Sequence, residues 1–260
     1  MRDCPTPIMQ PQDLIKKAVE DQGDNVVVSW SGGRCSTAVL HMALQIEPEI
    51  RVVFCDTGVE FPETYDFIEK VSGLWNLNLR ILKPKTTFWK CVEKYGFPML
   101  RGKYFDNSVS KAGRPMCCIL LKERPMLDAE ITASITGLRA CESRMRMFGI
   151  AQRGQYYYAK TLKRFQYHPI ALWSNEDLSQ YTCRHSIPLN EVYAKEHERC
   201  GCWCCTAYCG WRESLATSHP RMYRFLMKQK GEPLLWEYLD NEGCQQGAEE
   251  PMIMQRGLSK

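Results

Sequence analysis

The sequence lacks any long apolar run and any strong excess of charge of one sign. No stretch approaches the ~18 apolar residues of a transmembrane helix, so no membrane partner is expected. The first residues, MRDCPTPIMQPQD, contain prolines and charges where a signal peptide has an apolar segment, which leads us to expect a cytoplasmic protein. The formal net charge of +4 permits contact with nucleic acid but supports it only weakly.

Cysteine, in contrast, is abundant, with 14 residues in the chain. Without an export signal a reducing compartment is expected, and clustered cysteines there indicate metal or redox chemistry rather than disulfides. The adjacent pair Cys117 and Cys118 stands apart from the densest group, which comprises Cys200, Cys202, Cys204, Cys205 and Cys209.

Apolar runs and helix-patterned segments alternate over the first 140 residues. The predicted strands are Val26–Trp30, Arg51–Asp56, Leu79–Leu82 and Ile131–Thr136, and the predicted helices are Ser36–Gln45, Pro62–Val71 and Thr87–Tyr95. Strands that alternate with helices of this length predict an α/β fold with a doubly wound, mostly parallel sheet covered on both faces.

The second part of the chain has a different character. Arg139–Arg153 is basic and polar and is interpreted as a mobile loop, and QYYYAKTLKRFQYHPI as a β-hairpin or irregular extension. Helices are predicted over Leu178–His185, after the N-cap residues from Ser174, and over Arg212–Lys228. We expect one domain over residues 1–260, with a core of about 24–210 and a C-terminal helical extension and tail over 211–260.

A glycine turn, SWSGGRCST, links the first predicted strand to the first helix. Glycines at this point let backbone N–H groups converge, and the helix N-terminus adds its dipole, which together form an anion site. The candidate phosphate ligands are Ser31, Gly32, Gly33, Arg34, Ser36 and Thr37. The Walker pattern G-x-x-x-x-G-K-[ST] is absent, so this is not a P-loop of that type, and the alternative is a tight turn that needs glycine for steric reasons.

The turn resembles the SGGKDS signature of the PP-loop ATP pyrophosphatases. The segment VVFCDTGVEFPETYDFIEKV resembles the corresponding motif of the phosphoadenosine phosphosulfate (PAPS) reductase-like branch of that superfamily. This resemblance implies an adenine nucleotide alpha hydrolase-like fold and places Asp56, Thr57 and Gly58 near the adenosine. The plainer interpretation is a turn and a helix start, with Glu60 and Glu63 as solvated acids.

A third segment, TGLRACESRMR, resembles the arginine loop of the same family. The resemblance implies that Gly137 and Arg139 lie at the nucleotide and that Arg139, Arg144 and Arg146 face its triphosphate or sulfate. The alternative is a basic, solvated loop. Together with the Pro-Ile, Trp-Ser and Ile-Pro-x-Asn connection near Asn190, the likeness runs from about Val26 to Thr206.

The cysteine motifs suit either tetrahedral zinc or an iron–sulfur cluster. Adjacent cysteines project poorly onto one small Zn²⁺, whereas a cubane presents a separate iron to each thiolate. RPMCCILLKERPM and RCGCWCCTAYC resemble the APS reductase subgroup with its [4Fe–4S] cluster, which implies Cys117, Cys118, Cys202 and Cys205 as ligands and Lys122 close to the cluster. Cys200, Cys204 and Cys209 are spare and leave the second half of the ligand set open.

The resemblance leaves two different reactions open. Sulfonucleotide reductases carry a C-terminal Glu-Cys-Gly-[Ile/Leu]-His motif, but here the only late cysteine is Cys244 in NEGCQQG. The retained Ser31-Gly32-Gly33 turn favours an ATP pyrophosphatase in sulfur transfer, dependent on Mg²⁺. It would work with a sulfur donor such as a cysteine desulfurase and with a DNA or tRNA acceptor, as a homo-oligomer. The alternatives are reduction of APS or PAPS, and a non-catalytic iron–sulfur or zinc module that senses a nucleotide.

Cys35 is the unusual residue of the turn. Relative to SGGKDS, Arg34 keeps a cation for phosphate, but Cys35 replaces an aspartate that could help to organise a metal–pyrophosphate group. Its thiol is interpreted either as a small neutral filler or as a persulfide carrier activated by the helix N-terminus. The predicted catalytic residues are Cys35, Arg139, Arg144 and Cys244.

Overall fold

The computed structural model describes residues 8–99, 107–110, 113–195, 197 and 199–232. Its described strands form one sheet in the order β3-β2-β1-β4-β6-β5, in which every neighbouring pair is parallel except β5 and β6. The strands are β1 (Val26–Ser29), β2 (Arg51–Cys55), β3 (Leu79–Leu82), β4 (Ala133–Ile135), β5 (Tyr156–Ala159) and β6 (Arg164–Tyr167). The doubly wound, mostly parallel α/β sheet and the predicted hairpin are confirmed.

Helices connect and cover these strands. They are α1 (Pro11–Gln22), α2 (Arg34–Ile46), α3 (Pro62–Leu74), α4 (Phe88–Tyr95), α5 (Met116–Cys118), α6 (Arg124–Asp128), α7 (Arg144–Arg153), α8 (Asn175–Arg184), α9 (Trp211–Ser218) and α10 (Pro220–Lys230). A π-helical turn, Ile119–Glu123, joins α5 to α6. Among the described residues, no helix combines the length and the apolar character needed to cross a membrane.

The main core lies between one face of the sheet and helices α1, α2 and α3. Alternate residues of β1, such as Val26 and Val28, pack there against Leu14 of α1, Leu40 of α2 and Phe67 of α3. The opposite face carries a smaller cluster, in which Val27 and Val53 pack against Met126 of α6. Because both faces are covered, the central strands consist of nearly continuous apolar residues.

A second apolar cluster lies beside the sheet and joins distant parts of the chain. Phe61 at the start of α3, Phe88 of α4 and Leu121 of the π-helical turn pack there against Tyr223 and Leu226 of α10. The cysteine-rich segment contributes the fully buried Cys204 to the same cluster. This cluster therefore attaches the C-terminal helices α9 and α10 to the part of the chain that forms the sheet.

Several elements differ from the sequence-based expectation. Arg139–Arg153 is not a mobile loop, because it contains a helical turn, Ala140–Glu142, followed by α7, which is capped by the Ser143 side chain. The helix predicted over Arg212–Lys228 is two helices that meet at His219, because Pro220 cannot continue α9 and instead begins α10. Helix α1 and the helical stretch from Met116 to Asp128 were not predicted.

Candidate functional site

The site lies at the edge of the sheet where the strand order reverses. From β1 the chain proceeds to β2 on one side, whereas β4 continues to β6 on the other, so a crevice opens beyond the carboxyl ends of β1 and β4. A pocket of about 660 Å³ occupies this crevice. Its lining residues are Ser29, Ser31, Gly33, Arg34, Cys35, Ser36, Thr136, Gly137, Leu138, Arg139, Glu142, Ser143, Arg146, Tyr193, Arg199 and Cys200.

Glycine is required at two points of this crevice. Gly32 has a φ of 71°, a conformation that side chains disfavour, and its carbonyl accepts a hydrogen bond from Asn190 Nδ2. A β-carbon on Gly137 would lie 2.5 Å from the backbone carbon of Cys35 and 2.6 Å from the amide nitrogen of Ser36. The loop after β4 therefore lies directly on the N-terminus of α2, which explains why both motifs contain glycine.

The hydroxyl groups of the turn hold the turn itself. Ser36 Oγ donates to the carbonyl of Gly33 at 3.0 Å and lies 3.1 Å from Ser31 Oγ. Thr37 is buried: its hydroxyl donates to the same carbonyl and accepts from the indole N–H of Trp30. Ser31 and Ser36 line the pocket, whereas Thr37 and Gly32 do not, so the last two residues support the turn from behind.

Four arginines surround the pocket. Arg139 is 5% exposed, donates to the carbonyl of Ser174 and to Asn175 Oδ1, and thus holds its guanidinium in a fixed place. Arg34 lies over the ring of Tyr193, 4.6 Å from its centroid. Arg146 and Arg199 complete the set.

Few negatively charged side chains lie near these four arginines. Burial, followed by the charge of Arg199 and to a smaller extent that of Arg139, lowers the pKa of Arg146. Glu142 is the one carboxylate among the described lining residues, and it pairs with Arg146 and lies 3.9 Å from Arg139. A cavity where guanidinium groups crowd one another with so few counter-charges is suited to a polyanion.

The thiol of Cys35 lies within this cationic pocket. Its Sγ accepts a hydrogen bond from Arg139 Nε at 3.3 Å and lies 3.5 Å from Glu142 Oε1. Cys35 is the second residue of α2, at the helix end where the free backbone amides and the helix dipole favour negative charge. It is partly exposed, and it also packs against the edge of the main core.

The Asp-Thr-Gly segment after β2 does not line this pocket. Asp56 accepts hydrogen bonds from the Tyr65 hydroxyl and from the amide of Gly58, and it faces a separate cavity of about 560 Å³ beside α3. Thr57 is buried, with its hydroxyl 2.9 Å from Glu60 Oε1 and 3.5 Å from Cys202 Sγ. Contact of these residues with adenosine stays a prediction.

The predicted cluster ligands come together from two distant segments. The thiol of Cys117 donates to Cys118, which lowers the pKa of Cys118 to about 7. The charges of Cys205 and Cys202 act on Cys117, and that of Cys118 acts on Cys205, so the four sulfurs share one neighbourhood. In the part of the chain that the structure describes, no group of three or more His, Cys, Asp or Glu side chains is arranged to hold a single metal ion.

A lysine and a buried glutamate accompany these thiols. Lys122 Nζ lies 3.4 Å from Glu60 Oε1, and Cys202 Sγ lies 3.8 Å from the same oxygen. Burial lowers the pKa of Lys122, but the charges of Cys202, Glu60 and Cys118 outweigh burial, and the pKa lies well above its usual value. Four thiol donors beside one held ammonium fit the binding of an anionic, thiolate-ligated cluster.

Glu60 and Glu63 are not solvated acids. Their exposed fractions are only 4% and 9%. Glu63 Oε1 is bonded by Lys195 and by His219 Nε2, and these partners outweigh burial and lower the pKa of Glu63 to about 2. Both acids hold the start of α3 against the C-terminal part of the chain.

Some predicted site residues lie elsewhere, and some pocket residues were missed. Arg144 is exposed at the first position of α7 and does not line the pocket, and Cys244 lies outside the described residues. Tyr193, Arg199 and Cys200 line the pocket, although no nucleotide motif predicted them. They reach it from a loop more than 150 residues downstream of the glycine turn, and no short-range signal in the sequence could have shown this.

Comparisons with known proteins agree with this architecture. Residues 25–208 match the family model described as the phosphoadenosine phosphosulfate reductase domain. The chain is similar to adenosine 5′-phosphosulfate reductases of Staphylococcus epidermidis, with 27% identity over 198 residues (75% of this chain, 76% of the relative), and of Streptomyces coelicolor, with 30% identity over 196 residues (75% and 76%).

The fold also matches a solved structure. The crystal structure of phosphoadenylyl-sulfate reductase from Candida auris, a phosphate complex, aligns with a TM-score of 0.57 and 21% identity, over 76% of this chain and 91% of that chain. At this identity the likeness shows the fold alone. The family match covers more than two thirds of the residues and includes the glycine turn, the arginine loop and all four predicted cluster cysteines. The chain therefore belongs to the phosphoadenosine phosphosulfate reductase family.

Proposed function

We propose that this protein is a sulfonucleotide reductase, which binds adenosine 5′-phosphosulfate or its 3′-phosphorylated form in the pocket between β1 and β4. The observation that carries this proposal is the juxtaposition of four arginines with the thiol of Cys35 in one pocket. The guanidinium groups would hold the phosphate and sulfate oxygens. A thiol beside them is the nucleophile that reduction of an activated sulfate requires.

Arg139 would orient the nucleophile. Its Nε contacts Cys35 Sγ while its terminal nitrogens are held by Ser174 and Asn175, so the cation stays next to the sulfur. This contact places a cation beside the sulfur, and Arg34, Arg146 and Arg199 would neutralise the departing nucleotide phosphate. Arg144 and Cys244 stay proposed contributors: Arg144 does not line the pocket, and Cys244 lies outside the described residues.

A [4Fe–4S] cluster held by Cys117, Cys118, Cys202 and Cys205 is part of the proposal. When bound, the cluster would supply a local charge and a redox-active centre near the nucleotide. Lys122 and Glu60 connect its neighbourhood to the loop after β2, since Glu60 also contacts Thr57. Support comes from the four converging thiols and from the family motifs that they occupy.

ATP cleavage to AMP and pyrophosphate is the second candidate. The intact Ser31-Gly32-Gly33 turn at the N-terminus of α2 favours it, because this turn can hold a departing pyrophosphate. Against it, Mg²⁺ would meet only Glu142 among the described lining carboxylates, and that side chain is paired with arginine. A sulfur donor such as a cysteine desulfurase, a DNA or tRNA acceptor and a homo-oligomeric state belong to this candidate.

Product analysis distinguishes the two candidates. Anaerobically purified protein is incubated with adenosine 5′-phosphosulfate and a dithiol, with the 3′-phosphorylated form and a dithiol, or with Mg²⁺-ATP, with and without DNA or tRNA. The proposal predicts AMP or its 3′-phosphorylated counterpart together with sulfite from a sulfonucleotide, and no pyrophosphate from ATP. Pyrophosphate and AMP from ATP, without sulfite from either sulfonucleotide, would replace the proposal with the second candidate.

A further inference from the structure

A second thiol faces the pocket that holds Cys35. Cys200 lines the same cavity, and its Sγ lies 3.4 Å from the carbonyl oxygen of Ser31 in the glycine turn. A β-carbon on Gly33, only two residues before Cys35, would lie 3.7 Å from Cys200 Cβ. Cys200 is therefore packed on the glycine turn, although in the sequence it lies among the cysteines of the proposed cluster.

Cys200 is held in this place by polar partners. Its Sγ lies 3.4 Å from Thr64 Oγ1 and 3.4 Å from Asn190 Nδ2. Asn190 is 1% exposed and also donates to the carbonyl of Gly32, so the same amide fixes both the turn and the thiol. The position of this sulfur is therefore defined by contacts with three segments of the chain, which contain Ser31, Thr64 and Asn190.

Tyr193 lies at the glycine turn, near both thiols. Its hydroxyl accepts a hydrogen bond from the amide of Arg34 and would be 3.3 Å from a β-carbon on Gly33. Burial raises the pKa of Tyr193, and the charges of Cys200 and, more weakly, of Cys35 raise it further. One hydroxyl thus lies within electrostatic reach of both sulfurs.

We propose that Cys200 is the resolving thiol of the reaction, the partner that releases sulfite from Cys35. This inference rests on the proposed sulfonucleotide reductase function. In the first step the Cys35 thiolate attacks the sulfur of adenosine 5′-phosphosulfate. A sulfur–sulfur bond forms, the bond from that sulfur to the phosphate oxygen breaks, and AMP leaves with the electron pair, so that Cys35 carries a sulfonate.

In the second step Cys200 Sγ attacks Cys35 Sγ, and the Cys200 proton leaves to solvent as the new bond forms. The bond between Cys35 Sγ and the sulfonate sulfur breaks, and sulfite leaves with its electron pair. The two cysteines are oxidised to a disulfide, and their two electrons account for the reduction of sulfate to sulfite. An external dithiol of the thioredoxin or dithiothreitol class then reduces the disulfide.

A single turnover without added thiol tests the inference. Full-length, cluster-loaded protein is mixed anaerobically with adenosine 5′-phosphosulfate, and AMP, sulfite and the masses of the cysteine peptides are measured. Wild-type protein is expected to release about one sulfite for each AMP and to contain a Cys35–Cys200 disulfide. Cys200→Ser is expected to release AMP but to lose at least 90% of the sulfite, with a sulfonate retained on Cys35.

Cys183→Ser is the matched control, since Cys183 is exposed on α8 and is not a pocket residue. It is expected to behave like wild type. Circular dichroism and iron content of Cys200→Ser establish that the variant is folded and loaded. As a second measurement, mild oxidation of nucleotide-free wild type with diamide should give the same disulfide, independently of any variant.

The outcomes separate the inference from the function on which it rests. If AMP is released but wild type retains the sulfonate until a thiol is added, or if the disulfide joins other cysteines, Cys200 is not the resolving thiol and the reductase function still stands. If wild type releases no AMP from either sulfonucleotide, the proposed function fails and the inference fails with it.

Discussion

Gly137 marks the point where the loop after β4 crosses the start of α2. Replacing it by Ala would place a β-carbon about 2.5 Å from backbone atoms of Cys35 and Ser36. Because backbone cannot yield as a flexible side chain does, we expect a loss of about 1–3 kcal/mol in the free energy of unfolding. A shift of the turn should also weaken nucleotide binding roughly tenfold to hundredfold.

The experiment compares denaturant unfolding and calorimetric nucleotide titration of Gly137→Ala with those of Gly73→Ala. Gly73 lies within α3 and a β-carbon there meets nothing within 4 Å, so its replacement should stabilise the helix by up to about 1 kcal/mol. Unchanged nucleotide affinity in Gly137→Ala would contradict the close contact between the loop and α2.

His168 follows β6 and should make stability depend on pH. It is 2% exposed, and burial, with the charges of Arg153 and Arg146, lowers its pKa from 6.5 to about 4. Between these values the unfolded chain binds a proton that the folded chain does not. The free energy of unfolding therefore falls as the pH decreases through this window, by at most about 3 kcal/mol.

His168→Asn tests this dependence. The amide can replace the contact of Nδ1 with the Thr136 hydroxyl, which is 2.7 Å long, but it does not titrate. Urea unfolding at several pH values between 7 and 4 should show a smaller decline for the variant than for wild type. Parallel curves for the two proteins would show that His168 does not contribute the proton.

At the scale of elements, the N-terminus of α8 connects a helix cap to the pocket. The Ser174 hydroxyl accepts from the amide of Asp177, and the Asp177 carboxylate accepts from the amide of Ser174, while the Ser174 carbonyl holds Arg139. Ser174→Ala should cost about 1 kcal/mol of stability, because it removes one side of this capping box.

The same variant should loosen Arg139 and reduce nucleotide affinity by a few-fold at most, since the carbonyl itself remains. Ser179→Ala, an exposed position in the same helix, is the control and should change stability by less than about 0.5 kcal/mol. Chemical denaturation of both variants measures the difference. Equal stability of Ser174→Ala and Ser179→Ala would show that the cap contributes nothing measurable.

The sequence predicted those elements whose signals are local. The first strands and helices follow from apolar runs bounded by glycine and proline, and the mostly parallel character of the sheet follows from their alternation. The arginine segment failed as a loop because its polar composition conceals α7, which begins at the Ser143 cap and leaves Met145 and Phe148 exposed. Composition describes solvent exposure, and an exposed helix has the same composition as a loop.

At the scale of the whole molecule, the site depends on contacts between distant segments. Ser31, Arg34, Cys35 and Arg139 could be predicted because two short motifs carry them to the same sheet edge. Cys200 could not be assigned to that edge, because its neighbours in sequence belong to another group of cysteines and only the folded loop carries its sulfur to Ser31. The cysteine-rich segment thus contributes Cys200 to the pocket and Cys202 and Cys205 to the group of predicted cluster ligands.

This segment also attaches the C-terminal helices. Cys204 is fully buried in the second apolar cluster with Tyr223 and Leu226, and Glu60 pairs with Cys202 through an isolated β-bridge. If Cys202 and Cys205 also bind a cluster with Cys117 and Cys118, then cluster binding and attachment of α9 and α10 form one cooperative unit. Metal-binding free energy then appears as folding free energy.

Cys205→Ser tests that coupling. It should reduce bound iron and visible absorbance to a small fraction of wild type and lower the thermal midpoint, because a lost ligand removes the cluster that joins the two segments. Cys209→Ser, at an exposed position, should keep both iron and midpoint. Cys204→Ala should keep its iron but lose about 1 kcal/mol through the missing buried sulfur. If Cys209→Ser or Cys204→Ala loses its iron while Cys205→Ser keeps it, the cluster ligands are different cysteines. If Cys205→Ser and wild type have the same thermal midpoint, cluster binding does not contribute to folding stability.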